Sequence, residues 1–128
     1  MEHTPKVTHL KLKRKSRVLE IAFDGGEVHS LSCEFLRVYS PSAEVQQHGN
    51  PVLVTHKKNV NISAIETVGH YAVKLVFDDG HDSGIYSWAL LYQFTKDYQE
   101  LWQSYLTRLK DNHGSREALI PMAVKYTP

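Results

Sequence analysis

Cysteine is almost absent from the chain. Cys33 is the only one among 128 residues, which excludes an internal disulfide bond and a cysteine-rich zinc site. No apolar run approaches the roughly 20 residues that a membrane-spanning helix needs, and segment 1–9 lacks the apolar region of a secretory signal. Neither sign of charge dominates, since 15 Lys and Arg residues stand against 14 Asp and Glu residues. No net field therefore attracts nucleic acid or an anionic membrane, and we expect a cytoplasmic protein that binds neither.

The length and composition that remain indicate one folded domain. The chain is long enough to bury one core and too short for two. Hydrophobic residues at 41% and charged residues at 23% are ordinary values for a globular protein, which excludes general disorder. We expect a single domain at 1–114. Segment 115–128 has no periodicity and is predicted to be a partly ordered tail.

Alternating apolar residues predict strands at 7–14, 17–23 and 27–31, and again at 60–68, 71–77 and 81–86. The turns 24–26, Asp-Gly-Gly, and 78–80, Asp-Asp-Gly, are typical of hairpins because glycine adopts positive φ without steric cost. The stretches 19–26 and 73–80 look alike. The match is too short to predict a repeat architecture, and two hairpins of one design explain it more simply.

Apolar residues at helical spacing predict a short helix at 32–39, capped by Ser30 or Ser32 and ended by Pro41. Segment 40–54 is rich in Ser, Gln, Gly and Pro and is predicted to be a loop. A long amphipathic helix runs from a cap at Ser87 to about Lys110. These elements predict an α+β fold, in which antiparallel hairpins form a sheet and the long helix packs on it.

Two separated segments carry a family resemblance. The stretch 35–45, FLRVYSPSAEV, and the stretch 68–88, with VGHYAV and VFDDGHDSGIYSW, resemble the gamma-butyrobetaine hydroxylase-like N-terminal domain family over about 7–109. In carnitine-pathway dioxygenases this domain precedes the catalytic domain, so the resemblance implies that it does not carry the iron and 2-oxoglutarate chemistry. Bacterial members occur alone or fused to iron–sulfur carrier ATPases of the Mrp type, which implies by association a link to iron–sulfur cluster handling.

The resemblance also implies a position for a metal. In the dioxygenases the domain binds zinc through a Cys-x-Cys-x-x-Cys cluster and a later histidine, and these positions fall here on Ser40, Ser42, Val45 and His81. A structural zinc site requires four strong nitrogen or sulfur ligands, and only the histidine is present. Cys33 lies upstream of the cluster and does not replace it. We therefore expect no resident zinc or iron.

His81 nevertheless has two interpretations. It could bind zinc or iron together with Asp79, Asp82, His48 or His70, or it could hydrogen-bond within the hairpin or to the loop at 40–44. The acidic residues Asp24, Asp78 and Asp79 are explained by turn chemistry. No pairing of a nucleophile with a base stands out, so the sequence predicts that the protein is not an enzyme.

Further groups are candidates for binding a partner. Arg37 beside Ser40, Ser42 and Glu44 could form a small-ligand or partner site near His81, or Arg37 and Glu44 could pair structurally. An aromatic set could line a partner groove or belong to the core; it consists of Tyr86, Trp88, Tyr92, Trp102 and Tyr105. A basic set could form a nucleic-acid patch or an ordinary solvent face; it consists of Lys11, Lys13, Arg14, Lys15, Lys57 and Lys58.

The leading hypothesis is a non-catalytic accessory domain that binds an unidentified protein partner through 35–45 and 78–88, with iron–sulfur cluster assembly as the associated process. The alternative is a metal-binding accessory protein that uses His81. The chain is expected to be a monomer or a weak homodimer. The partner-binding candidates are Arg37, Ser40, Ser42, Glu44, Tyr86 and Trp88, and the metal candidate is His81.

Overall fold

The computed structural model describes residues 4–119 and contains two small antiparallel sheets, each with three strands. The first sheet consists of β1 (Val7–Lys13), β2 (Val18–Phe23) and β3 (Val28–Ser32), and the second of β4 (Ile62–Val68), β5 (Ala72–Phe77) and β6 (Ile85–Ser87). The helices are α1 (Cys33–Val38), α2 (Ala43–Gln46) and α3 (Trp88–Asp111), with a 3-10 turn at Gln47–Gly49. The predicted α+β class is confirmed, although the strands form two sheets rather than one.

The two sheets are built alike. Strand order is sequential in both, and both carry a register shift near the start of the first strand. The two glycines that end the central hairpin turns have φ values of +95° at Gly26 and +93° at Gly80, a region that favours glycine. The three backbone hydrogen bonds of the first turn each have a counterpart in the second. Phe23 N–H donates to Glu27 O as Phe77 N–H does to His81 O, and Gly26 N–H donates to Phe23 O as Gly80 N–H does to Phe77 O. Asp24 N–H donates to Lys6 O as Asp78 N–H does to Asn61 O.

This similarity continues into the helices. A serine caps the helix after each sheet: Ser32 Oγ accepts from Phe35 N–H, and Ser87 Oγ accepts from Leu90 N–H, each at 3.0 Å. The short match visible in the sequence is therefore part of a strand–strand–strand–helix unit that occurs twice. Outside the turn, the two units share only apolar side chains at inward positions and a serine cap. Many different sequences meet these requirements, so the two units show little sequence similarity.

One continuous core joins both units, because the inward faces of the two central strands meet α1 and the first half of α3. Its members include Leu19, Ile21, Phe23, Phe35, Leu36, Val73, Leu75, Phe77, Leu91 and Phe94. A smaller cluster lies under the second half of α3 and contains Val38, Tyr105 and Leu109. The predicted apolar stripe of the long helix thus spans both clusters. At the end of α3, the left-handed residue is His113, with φ +55°, rather than the neighbouring glycine.

Two segments differ from the sequence-based expectation. The predicted loop at 40–54 contains α2 and the 3-10 turn, because Ser42 Oγ accepts from Glu44 N–H and caps a short helix that propensity alone does not reveal. The predicted strand at 81–86 is reduced to β6. Phe77 N–H still donates to His81 O, but the side chains of His81 and Ser83 bond to Ser40 and Ser42, which follow α1. Both differences lie where the end of α1 meets the connection between β5 and β6, which is described below as the candidate site.

Segment 115–119 lies against the loop that precedes β4. Ser115 O accepts from His56 N–H at 2.8 Å, and Arg116 O accepts from Lys58 N–H at 2.9 Å. The Arg116 guanidinium forms two bonds to the carboxylate of Glu34, at 2.7 and 2.8 Å. The remainder of the predicted tail, 120–128, lies outside the described residues. No helix among residues 4–119 is long and apolar enough to cross a membrane.

Candidate functional site

The end of α1 meets the connection between β5 and β6 at a polar junction. Arg37 Nε donates to Asp79 Oδ2 at 2.7 Å, and Lys57 Nζ approaches the same oxygen at 2.7 Å. Ser42 Oγ and Ser83 Oγ lie 2.6 Å apart. The second unit's turn therefore contacts the first unit's helix. The first unit's turn contacts α3 in the same way, through Glu27 to Lys96 Nζ at 2.8 Å. Each unit's turn therefore contacts the helix of the other unit, and the junction lies at one of these two contacts.

His81 is the centre of the junction. Its ring Nε2 lies 2.8 Å from Ser40 Oγ, and its Nδ1 lies 3.4 Å from Glu44 Oε2. Ser40 Oγ also accepts the backbone N–H of Ser42 at 3.2 Å. The Ser40–His81 contact is a hydrogen bond whose donor depends on the tautomer of the imidazole, whereas Glu44 lies at ion-pair distance from Nδ1. Glu44 therefore contacts His81, and Arg37 contacts Asp79, so the pairing of Arg37 with Glu44 considered from the sequence is not formed.

Ser40, His81 and Glu44 have the spatial order of a serine–histidine–acid triad. Their burial is opposite to what such a triad requires. The nucleophile position, Ser40, is 0% exposed, while the acid, Glu44, is 72% exposed on its side chain. A carbonyl substrate cannot reach Ser40 Oγ in this conformation. The arrangement therefore acts in the structure as a bonded link between the two segments.

Asp79 anchors the positive charges of the junction. Burial raises the pKa of its carboxyl, but bonds from Lys57, from the backbone N–H of His81 and from Arg37 outweigh this and hold the pKa at about 2. The Arg37 Nη1 atom is buried and has no hydrogen-bond partner among the described residues. A donor of this kind is usually satisfied by water or a small ligand. Lys57 was placed by sequence in a basic set, and nothing in the sequence signalled its role at Asp79.

Close packing holds the other side of the junction. Tyr86 is fully buried, and its hydroxyl donates to Leu36 O at 2.6 Å. Burial raises its pKa well above the ordinary range. A Cβ placed on Gly84 would lie 2.6 Å from Ser40 Oγ and 3.1 Å from the Tyr86 ring, so only glycine permits this approach. Neither Ser83 nor Gly84 stood out in the sequence, because their importance depends on a contact with a segment about 40 residues away.

The remaining candidates lie elsewhere. Trp88 starts α3 and donates its indole N–H to His70 O at 3.1 Å, at the end of β5 opposite to His81. Tyr92, Trp102 and Tyr105 are partly or fully buried along α3, in contact with the two core clusters. Cys33 is buried, and burial raises the pKa of its thiol, which disfavours the reactive thiolate.

The zinc positions implied by the resemblance do come together, but with the wrong atoms. Ser40, Ser42 and His81 belong to one hydrogen-bonded network, and Val45 is buried one helical turn after Ser42. Two hydroxyls, a valine and one imidazole do not fit a tetrahedral zinc ion. Within residues 4–119 no group of three or more His, Cys, Asp or Glu side chains could hold a metal ion. The side chain of His48 lies outside the described part of the chain.

The environment of His81 predicts a pH dependence of stability. Burial and the Arg37 guanidinium lower the pKa of its imidazole, against the opposing influence of Glu44 and Asp79. The unfolded chain therefore binds this proton more readily, and the free energy of unfolding falls as pH drops below the ordinary histidine pKa of about 6.5. Urea unfolding at pH 7 and pH 5 measures the loss. We expect His81→Asn to lose less stability over this interval than wild type.

The matched control is His113→Asn, because His113 is exposed. It should show the same pH response as wild type. At lower pH a second loss is expected, since Asp79 contributes stability above its unfolded pKa of 3.8 that disappears as pH falls toward 2. Equal responses of wild type and His81→Asn between pH 7 and 5 would contradict the assignment of His81.

The chain matches one protein-family model and is similar to several solved structures. The sequence model described as "Gamma-butyrobetaine hydroxylase-like, N-terminal" matches residues 10–92. One NMR solution structure is 67% identical and covers 100% of this chain and 97% of its own, with a TM-score of 0.81. A second NMR structure is 39% identical, covers 98% and 100%, and has a TM-score of 0.80.

A crystal structure from Acidithiobacillus ferrooxidans, of a protein with unknown function in the DUF971 family, is 34% identical. The match covers 70% of this chain and 92% of that one, with a TM-score of 0.61. No curated protein matches the chain. Because the family model covers more than half of the sequence, including the whole junction, the chain belongs to the gamma-butyrobetaine hydroxylase-like N-terminal domain family.

Proposed function

We propose that the chain is a non-catalytic accessory domain that binds a protein partner at the junction, in connection with iron–sulfur cluster assembly. The observation that carries the proposal is the interlocking of α1–α2 with the β5–β6 connection through Arg37–Asp79, Ser40–His81 and Ser42–Ser83. These contacts hold the α1–α2 segment and the β5–β6 connection against each other. A surface that is already ordered loses less conformational entropy when a partner binds.

The exposed side of this junction provides the contact surface. It consists of Ala43, Glu44, Asp82, Ser83 and Ile85, and we call it the junction face. Ile85 is 51% exposed, and the Glu44 side chain is 72% exposed. An exposed aliphatic side chain beside charged and hydroxyl groups is the composition of a modest protein interface with a polar rim. Arg37, Ser40, Ser42 and Tyr86 position this face from below and do not need to touch the partner.

Two observations support a non-catalytic role. The serine of the triad-like network has no exposed surface, and the Cys33 thiol is buried with a raised pKa. The connection with iron–sulfur cluster assembly rests on the family resemblance alone. The identity of the captured partner tests it separately from the binding function.

A photo-crosslinking amino acid placed at Glu44 tests the proposal in lysate of the source cells. We expect one protein to be captured from position 44 and not from Gln103, an exposed position on α3. With that protein purified, Glu44→Arg combined with Ile85→Asp should weaken binding at least about tenfold, whereas Gln103→Arg should not. Equal capture at both positions, or unchanged affinity in the double variant, would exclude the junction face. A partner outside iron–sulfur assembly would remove that part of the proposal.

The alternative proposal, a zinc or iron accessory protein using His81, requires His81 to release Ser40 or Glu44 and to recruit ligands from other segments. A metal bound only by the folded state raises thermal stability. The alternative therefore predicts that zinc or iron(II) raises the Tm of wild type and not of His81→Ala. No observation in the structure favours it over partner binding.

A further inference from the structure

The turn between β1 and β2 concentrates positive charge. Arg14, Lys15 and Arg17 are all exposed there, within four consecutive residues. None of the three forms an ion pair with another described residue. We call these three residues the basic turn. Lys13, which precedes them, is already paired with Glu20 at 3.0 Å.

The two arginines are held in place by neutral groups. Arg17 Nε donates to Asn59 O at 3.0 Å, and Arg14 Nη2 donates to Ser63 O at 3.3 Å. Asn61 Nδ2 donates in turn to Arg14 O at 3.0 Å. Carbonyl oxygens orient the guanidinium groups without neutralising them, and the remaining N–H groups stay available. Guanidinium groups that are already oriented bind carboxylates at a lower entropic cost.

The basic turn is continuous with the junction. Asn61 N–H donates to Asp78 Oδ1, and Lys57 from the same loop binds Asp79, which also holds Arg37. Segment 57–61 therefore connects the basic turn to the site proposed above. A partner that covers the junction face can extend across this segment and place acidic side chains at the turn.

We propose that the basic turn binds an acidic segment of the protein partner, an inference that rests on the proposed function of the junction. Two observations favour a protein over nucleic acid. The turn has no aromatic side chain on which a base could stack. Asp78 belongs to the same hydrogen-bond network through Asn61, and its carboxylate would repel a phosphate backbone that continues past the turn. A few carboxylates on a folded surface can be placed to avoid it.

NMR titration of the isotopically labelled full chain with a short synthetic peptide of alternating Glu and Ser tests this inference. We expect chemical shift changes confined to 14–17 and 57–61 and reduced by added salt. Arg14→Glu with Arg17→Glu should weaken binding about tenfold or more. The matched control is Lys6→Glu with Lys110→Glu, which makes the same change in charge. Lys6 precedes β1 at the end opposite the basic turn, and Lys110 lies on α3.

Other outcomes overturn the inference. Tighter binding of an oligo-dT strand at the same residues would identify a nucleic-acid site instead. Shifts spread over all lysines, or unchanged affinity in the charge-reversed variant, would show that the attraction is nonspecific. The experiment is separate from the crosslinking test: a partner that is released by the Glu44 and Ile85 changes but kept by the charge-reversed variant leaves the proposed function intact and removes this inference alone.

Discussion

Replacing Arg116 by alanine is expected to destabilise the protein by about 3 kcal/mol, because it leaves the Glu34 carboxylate unpaired in the core. The Glu34 side chain is only 5% exposed, and Arg116 gives it two bonds while lying over the Trp102 ring. Removing Arg116 also frees segment 115–119 from α1. Thermal unfolding measures the effect, and a decrease in Tm of roughly 10 °C is expected for a chain of this length.

The control is Lys58→Ala, which breaks the exposed ion pair with Glu117 on the same segment. Exposed pairs contribute about 0–1 kcal/mol, so this variant should remain close to wild type. Arg116→Ala with Glu34→Leu removes both charges and should recover part of the lost stability, because no unpaired carboxylate is then buried. Equal Tm values for Arg116→Ala and Lys58→Ala would show that Glu34 is solvated in solution.

The second large effect is a gain of zinc binding. Ser40→Cys, Ser42→Cys and Val45→Cys together should produce a site with three thiolates and His81, since these four positions correspond to the zinc ligands implied by the family resemblance. Ser40 and Ser42 are already joined to His81 in one network. We expect one tightly bound zinc per chain. Zinc at about 1,000 times its dissociation constant should stabilise the variant by roughly 4 kcal/mol.

Cobalt(II) provides the readout, because its visible absorption bands report tetrahedral sulfur coordination. His81→Ala in the triple-cysteine background should weaken binding strongly. Wild type measured in parallel should give no such bands. Circular dichroism before metal addition shows whether the variant is folded or gains its fold from the metal, and either state permits the titration. A triple variant that binds no cobalt would show that the zinc positions have been assigned to the wrong residues.

Local sequence patterns were sufficient for most of the fold. Alternation in β5 placed Val73, Leu75 and Phe77 inside, because successive strand residues face opposite sides. Serine caps and helical spacing placed α1 and α3 within one or two residues of their ends. Two sequence segments also identified the family. These features depend on neighbours a few residues apart, so the sequence displays them directly.

The candidate site depended on contacts between distant segments. The sequence drew attention to Arg37, Ser40 and His81, but the partners that define their roles are Asp79, Ser83, Gly84 and Lys57, which lie 20 to more than 40 residues away. The shortened strand at 81–86 has the same origin. Side-chain bonds from His81 and Ser83 to Ser40 and Ser42 form there in place of further strand pairing, and no local propensity reports such competition.

The sequence by itself determined the α+β class and the family, and its cysteine content cannot supply the zinc ligands that the family resemblance implies. The tertiary structure alone decided that Ser40 is inaccessible, that Arg37 pairs with Asp79 rather than Glu44, and that the basic turn is continuous with the junction. The physical reason is that burial, ion-pair choice and surface continuity depend on which segments pack together. Packing between the two units brings 37–45, 57–61 and 78–84 to one place.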